Sequence, residues 1–162
     1  MDAVRDVSVE KLSAEEHLLW SKLSAVLELL PAALNSQLGH DNQLTLFDYF
    51  VLNELSVAAP EPLRMTALAS DTHASLPRVS RVVSRLECGG LVERIPCPED
   101  GRAINVRLTA VGASRLAEAE PGHLQTVRAL VLDALSAEQT DALTSILDNL
   151  LEALGSTVRQ QN

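Results

Sequence analysis

Residues 76–108 read LPRVSRVVSRLECGGLVERIPCPEDGRAINVRL, and the hydrophobic period changes once along them. Val79, Val82, Val83 and Leu86 recur at i, i+3, i+4 and i+7, the spacing that lines apolar side chains along one face of a helix. Arg78, Ser80, Arg81, Ser84 and Arg85 are left on the outside. Ser75 is suited to cap this helix, and Pro77 in its first turn gives up no hydrogen bond that the helix needs. Gly89-Gly90 ends it, because glycine accepts the left-handed backbone with which helices close. Beyond the glycines the period is two. Leu91–Ile95 and Ala103–Leu108 read as strands, with Ile104, Val106 and Leu108 alternating against Asn105 and Arg107 as a half-buried strand requires. The connecting PCPEDGR carries an Asp-Gly turn signal, so the two strands form a hairpin.

A helix with an arginine-bearing outer face beside a hairpin suits a nucleic-acid duplex. The major groove admits a helix, and the hairpin reaches an adjacent groove or the phosphates. The formal net charge of -9 opposes indiscriminate binding of this kind, which draws on clustered Lys and Arg. Its distribution reverses the argument. Residues 64–109 hold seven arginines (64, 78, 81, 85, 94, 102 and 107) against five acids, whereas the remainder holds six basic residues against seventeen acidic ones. All the basic charge of that middle third is arginine, whose planar fork pairs bidentately with guanine or phosphate. The alternative is a set of ordinary solvated surface charges.

Length and composition set the other bounds. The 162 residues, 46% of them hydrophobic, suffice for one sizeable core and favour a single domain over residues 1–162. No run of 18 apolar residues occurs and the N-terminal MDAVRDVSVEKLSAEEH is polar, so neither a membrane span nor a signal peptide is expected and the cytoplasm is the expected location. Cys88 and Cys97 are too few for a disulfide framework, and His17, His40, His73 and His123 are scattered. No HExxH, CxxC, GxSxG or Walker-type motif is present, so no catalytic residue, metal or cofactor is expected and the chain does not read as an enzyme.

Helical patterns flank the middle third. Ser13-Ala-Glu-Glu16 is a capping box, and Leu19, Leu23, Val26, Leu27, Leu30 and Leu34 continue helical spacing to about Gln37, with Pro31 expected to kink the helix and Gly39 to end it. A second helix is expected over about Leu46–Ser56, closed by the AAPEP loop, and a short third over Thr66–Ser70 with Thr66 as its cap. Thr109 can cap a fifth helix that Pro121-Gly122 should bend or split. Ser136-Ala-Glu-Gln139 opens the last, which carries Leu143, Ile146, Leu147, Leu150, Leu151 and Leu154. That stripe is too wide for a lone surface helix, and the surplus reads as a dimer interface.

In this order of elements, LTLFDYFVLNEL (44–55), MTALA (65–69), SLPRVSRVVSRLECGGLVER (75–94) and CPEDGRAINVRLTAVG (97–112) resemble the MarR family of winged-helix transcription regulators, over about Glu16–Leu154. The specific pieces are a reading helix running into G-L-V-x-R, and a wing closing on D-x-R before L-T-x-x-G. The resemblance implies a mainly α fold: a winged helix-turn-helix, three helices plus a β-hairpin wing, over residues 44–109, with long N- and C-terminal helices (13–38 and 110–154) forming a dimerisation domain. It implies a homodimer that binds a pseudo-palindromic double-stranded DNA operator, its half-sites about 10 bp apart, and acts as a ligand-responsive repressor.

On that resemblance Pro77, Arg78, Ser80, Arg81 and Arg85 would contact bases, with Ser75 and Ser84 donating to phosphates or base edges. Any one of the three arginines could instead serve a structural salt bridge. Arg102 matches the family's wing arginine, which enters the minor groove, and Asp100 would hold its guanidinium by a charge-assisted pair or act as an ordinary turn aspartate. Gly101 stands where a charged residue is common. Many members bind small aromatic or phenolic effectors, for which the candidates are His17, Trp20, Tyr49 and Phe50, the alternative for Trp20 being a place in the core. Phe50, where urate-sensing members carry a carboxylate, speaks against a urate-type response. Two further readings stand beside this one. One is a thiol-based redox sensor at Cys88 or Cys97, opposed at Cys88 by the helix C-terminus and by Glu87. The other is a winged-helix protein-interaction module without operator binding, which leaves the segregated arginines unexplained.

Overall fold

The computed structural model describes residues 11–97, 100 and 103–160, with backbone only for 156–160. By its contacts the chain divides into two compact units, residues 1–33 and 34–162, and the boundary falls within the first helix. That helix, α1 (Ala14–Asn42), begins at the expected capping box: Ser13 N–H donates to Glu16 Oε2 at 2.7 Å and Glu16 N–H to Ser13 Oγ at 3.2 Å. These bonds favour the ionised carboxyl and lower its pKa below the ordinary value of 4.5. The helix runs through Pro31 and past Gly39, three residues beyond the expected stop. Gly39 sits in ordinary helix, and the chain turns only at Gln43, whose φ of 57° is left-handed, with Leu44 N–H bonded back to Leu38 O at 3.2 Å. In the first unit most described side chains are exposed, Leu18, Leu19, Trp20, Val26, Leu27 and Leu29 among them, and none is fully buried.

The second unit holds the buried core. Helix α2 (Leu46–Ala58) starts at a capping box absent from the sequence expectations: Thr45 Oγ1 accepts from Asp48 N–H, and Asp48 Oδ2 accepts from Thr45 N–H at 2.8 Å. Strand β1 (Leu63–Arg64) leads directly into α3 (Met65–Asp71). Thr66 is therefore not the cap. Arg64 holds that position without a side-chain bond, because its backbone is already extended to pair with the hairpin. Helix α4 (Leu76–Cys88) follows, then β2 (Val92–Pro96) and β3 (Ile104–Leu108). The antiparallel order is β1-β3-β2, with Leu63 opposite Val106 and Arg94 opposite Val106 on the other side. Strand β1 was not foreseen, since two residues are too short for a period.

Helix α5 (Ala110–Leu130) opens at Thr109, whose hydroxyl accepts from Gly112 N–H at 3.0 Å and donates to Gly90 O at 2.7 Å. It is not split at Pro121-Gly122 but runs on as one helix. Gly122 faces α1, where a Cβ would lie 2.9 Å from Gln37 Nε2, the movable end of that side chain. A 3₁₀ turn (Leu132–Ala134) leads to α6 (Ala137–Gln160), whose expected capping box is present in the Ser136–Gln139 bonds. The core is built from Leu38, Val51, Leu52, Leu55, Leu68, Val79, Val83, Val92 and Val106. It packs α2, α3 and α4 against the small sheet. No helix among the described residues is long and apolar enough to cross a membrane.

Candidate nucleic-acid interface

The two faces of α4 are the ones its period requires. Val79, Val82, Val83 and Leu86 are buried, Arg78, Arg81, Ser84 and Arg85 are exposed, and Ser80 is half-buried. Ser75 occupies the N-cap position, but its hydroxyl makes no cap hydrogen bond, and Pro77 lies in the first turn without an N–H to offer. The helix closes in a Schellman motif: Gly90 is left-handed at φ 72°, Leu91 N–H bonds to Leu86 O and Gly90 N–H to Glu87 O, both at 2.9 Å. The turn of chain into the hairpin is thereby set by the last residues of α4.

Five arginines of the middle third have structural partners, Arg64 among them through Cys97. Arg94, reaching from β2, donates through its side chain to Glu87 Oε2 (2.6 Å), Ser80 O (3.1 Å) and Ser84 Oγ (2.8 Å), while its backbone N–H donates to Glu87 Oε1 (3.0 Å). This ties the hairpin to α4. Ser84 is drawn into the same network, since its hydroxyl donates to Ser80 O at 2.9 Å. Arg85 forms an ion pair with the buried Asp48 of α2, and Arg107 pairs with Glu93 across the hairpin. Arg78 stands over the Phe47 ring, 4.1 Å from its centroid. Arg81 is exposed, and among the described residues it makes no hydrogen bond or ion pair. The sequence assigned Arg78, Arg81 and Arg85 alike to base contacts, without distinguishing among them. G-L-V-x-R was the one signal pointing to Arg94, and nothing local marked Asp48 as the partner of Arg85.

An open cleft of about 480 Å³ lies between α3, the N-terminal half of α4 and the wing, lined by Arg64, Met65, Leu76, Ser80, Arg94 and Ile104 among others. At the wing, Asp100 is exposed and its carbonyl accepts from Ala103 N–H at 2.9 Å, while Cys97 N–H closes on Ala103 O at 3.1 Å. Arg102, and with it the expected pairing to Asp100, lies outside the described residues, as does Gly101.

Of the four effector candidates, the structure brings Tyr49 and Phe50 together, ring edge to face at 6.4 Å, with Tyr49 buried and Phe50 exposed. His17 and Trp20 belong to the first unit, where both are exposed. A residue not foreseen stands beside Tyr49: His123 of α5 is 6% exposed, its ring 4.1 Å from that of Tyr49, its Nδ1 buried with no partner among the described residues. Burial lowers the His123 pKa below 6.5 and, together with the Glu120 charge, raises that of Tyr49 above 10.0. Cys88 is exposed and Cys97 buried, both as free thiols, with Arg64 Nη2 at 3.6 Å from Cys97 Sγ. No group of metal-ligating side chains occurs among the described residues.

Helices α2, α3 and α4 with an antiparallel hairpin folded against α4 define a winged helix-turn-helix protein. A model of the MarR family matches residues 44–104. Among solved structures, Sco3205 from Streptomyces coelicolor, a MarR family transcriptional regulator in complex with DNA, is 36% identical and superposes with a TM-score of 0.87, covering 90% of this chain and 91% of that one. AbsC from the same organism, also a MarR family transcriptional regulator, is 31% identical with a TM-score of 0.82, over 93% and 98% of the two chains. The chain belongs to the MarR family of transcriptional regulators. The HTH-type transcriptional repressor YetL of Bacillus subtilis (strain 168) is 31% identical over 104 residues, which are 64% of this chain and 62% of the repressor. The match therefore spans less than two thirds of that relative.

Proposed function

We propose that the protein is a sequence-specific DNA-binding transcription regulator that acts as a homodimer on a pseudo-palindromic operator and is released by a small aromatic or phenolic effector. The observation that carries this reading is the outer face of α4, where Arg78, Arg81 and Arg85 are exposed above a buried valine face. In this reading Arg78, Arg81 and Arg85, with Pro77 and Ser80, face the bases, Ser75 and Ser84 lie toward the phosphates, and Asp100 and Arg102 serve the wing. Residues 44–109 form the DNA-binding lobe. Residues 13–38 and 110–154 pair across the two-fold axis, which the exposed Ile146, Leu147, Leu150, Leu151 and Leu154 of α6 support, because surface of that kind is costly to leave in water.

The effector candidates remain His17, Trp20, Tyr49 and Phe50. An effector that prefers a lobe spacing unsuited to DNA would lower operator affinity by its differential affinity for the two arrangements. Function and location follow the family: a regulator of DNA, working in the cytoplasm without catalysis. The test is selection from a randomised oligonucleotide pool, followed by titration of the selected duplex. Arg81→Ala is expected to weaken specific binding by about 1–3 kcal/mol if the residue contacts a base, or to lower the salt slope by about 1 if it contacts a phosphate. Binding unchanged in both Arg81→Ala and Arg85→Ala would remove α4 as the reading face.

A further inference from the structure

Two of the three outward arginines of α4 are held from another helix, and by adjacent residues. Arg78 lies over the ring of Phe47, and Arg85 Nη2 donates to Asp48 Oδ1. Arg78 and Arg85 are separated by two helical turns on one side of α4, roughly 10 Å along its axis, so the first turn of α2 touches both ends of the strip on which Arg81 also lies. Asp48 is held in its turn. It is 3% exposed, its second oxygen accepts from Thr45 N–H, and its own N–H donates to Thr45 Oγ1.

The Arg85 side chain is 58% exposed, and the pair with Asp48 occupies one of the five N–H donors of its guanidinium. An ion pair with so exposed a partner adds little to stability. What it does is restrict the rotamers of a long side chain, and a side chain already ordered loses less freedom when it docks. The same holds for Arg78, whose planar group is seated on an aromatic face.

We propose that Phe47 and Asp48 are positioning residues for DNA recognition: they direct Arg78 and Arg85 before the duplex arrives, while Arg81 between them, with no hydrogen bond or ion pair among the described residues, stays adaptable. The proposal rests on the DNA-reading role of α4 given above. It differs from a purely structural role in sign. Removing a carboxylate beside an arginine strip increases the attraction to phosphates, so a merely structural Asp48 predicts equal or stronger binding to any DNA. A positioning Asp48 predicts lost discrimination.

The full-length wild-type chain is used to select a duplex from a randomised pool, and the ratio of its affinity for that duplex to its affinity for unrelated DNA is measured by fluorescence anisotropy. In Asp48→Asn the ratio should fall about tenfold, the scale of one lost bidentate contact, with binding to unrelated DNA unchanged or tighter. In Phe47→Leu, which leaves the Asp48 cap intact, it should fall about threefold. Thr45→Ala removes the hydroxyl of the α2 cap without touching either arginine, and should keep the wild-type ratio while lowering thermal stability. Asp48→Asn should change nothing further in an Arg85→Ala background. Wild-type ratios in both Asp48→Asn and Phe47→Leu, an equal loss in Thr45→Ala, or an undiminished loss in the Arg85→Ala background would each overturn the proposal while the DNA-reading role stands. A wild-type chain that selects no sequence overturns that role, and the proposal with it.

Discussion

At Gly112 a methyl group would stand 2.0 Å from the Leu91 carbonyl oxygen and 2.8 Å from Leu108 Cδ1. The glycine of L-T-x-x-G is thus required by packing: the first turn of α5 rests on the chain that enters the wing. Gly112→Ala should destabilise the fold by at least about 1–3 kcal/mol, the cost of overpacking, because backbone on both sides must move; chemical denaturation measures it. His123 makes a different prediction. Its folded pKa is lowered from 6.5 by burial, so the unfolded chain binds this proton more readily than the folded one. The contribution of neutral His123 to stability is therefore present above pH 6.5 and is lost as the pH falls toward the lower folded value. His123→Phe keeps a ring against Tyr49 and removes the titration. A melting temperature measured from pH 8 to pH 5 should fall less in this variant than in wild type, and parallel curves would show that His123 does not titrate with folding.

Among the elements, α4 and the hairpin act as one piece because Arg94 bonds to Glu87, Ser80 and Ser84 at once. These three acceptors span two turns of α4, so strand β2 cannot rotate about the Gly89-Gly90 link without breaking them. Arg94→Ala leaves the half-buried Glu87 carboxylate without its cation and should cost about 1–3 kcal/mol. It should also raise hydrogen exchange in β2 and β3 while sparing α2; uniform exchange across the fold would refute the coupling. The elements differ in how plainly the sequence announced them. Helix α4 follows from period alone, and the boxes at Ser13 and Ser136 from side-chain chemistry within four residues. Strand β3 is a strand as expected but departs from strict alternation, with Ile104 exposed and Asn105 buried beside Val106. The end of α1, the start of α3 and the unbroken run of α5 were misread: α1 ends at the left-handed backbone of Gln43, and the start of α3 depends on a strand partner distant in sequence. Gly122 resembles a breaker yet lies within continuous helix, and Arg64 resembles a loop residue until its strand pairs with β3.

On the scale of the whole molecule, a chain of net charge -9 is expected to bind DNA only through the face that carries its arginines. The apolar side chains exposed on α6 then need another occupant, which in the proposed homodimer would be a second copy. Burying each such side chain is worth about 1.5–3 kcal/mol, so a charge placed among them should be decisive. Leu147→Asp and Leu151→Asp are expected to shift the protein from dimer to monomer in analytical ultracentrifugation and to abolish the concentration dependence of the melting temperature. A wild-type protein that sediments as a monomer at every concentration refutes this. Hydrophobic period, caps and turn residues, all local along the chain, determined by themselves the winged helix, the burial of its valine face and the family resemblance. Which arginines are free was decided only by tertiary structure. Asp48 lies 37 residues before Arg85, Tyr49 is far along the chain from His123, and a side chain's partner across such a distance has no period to announce it.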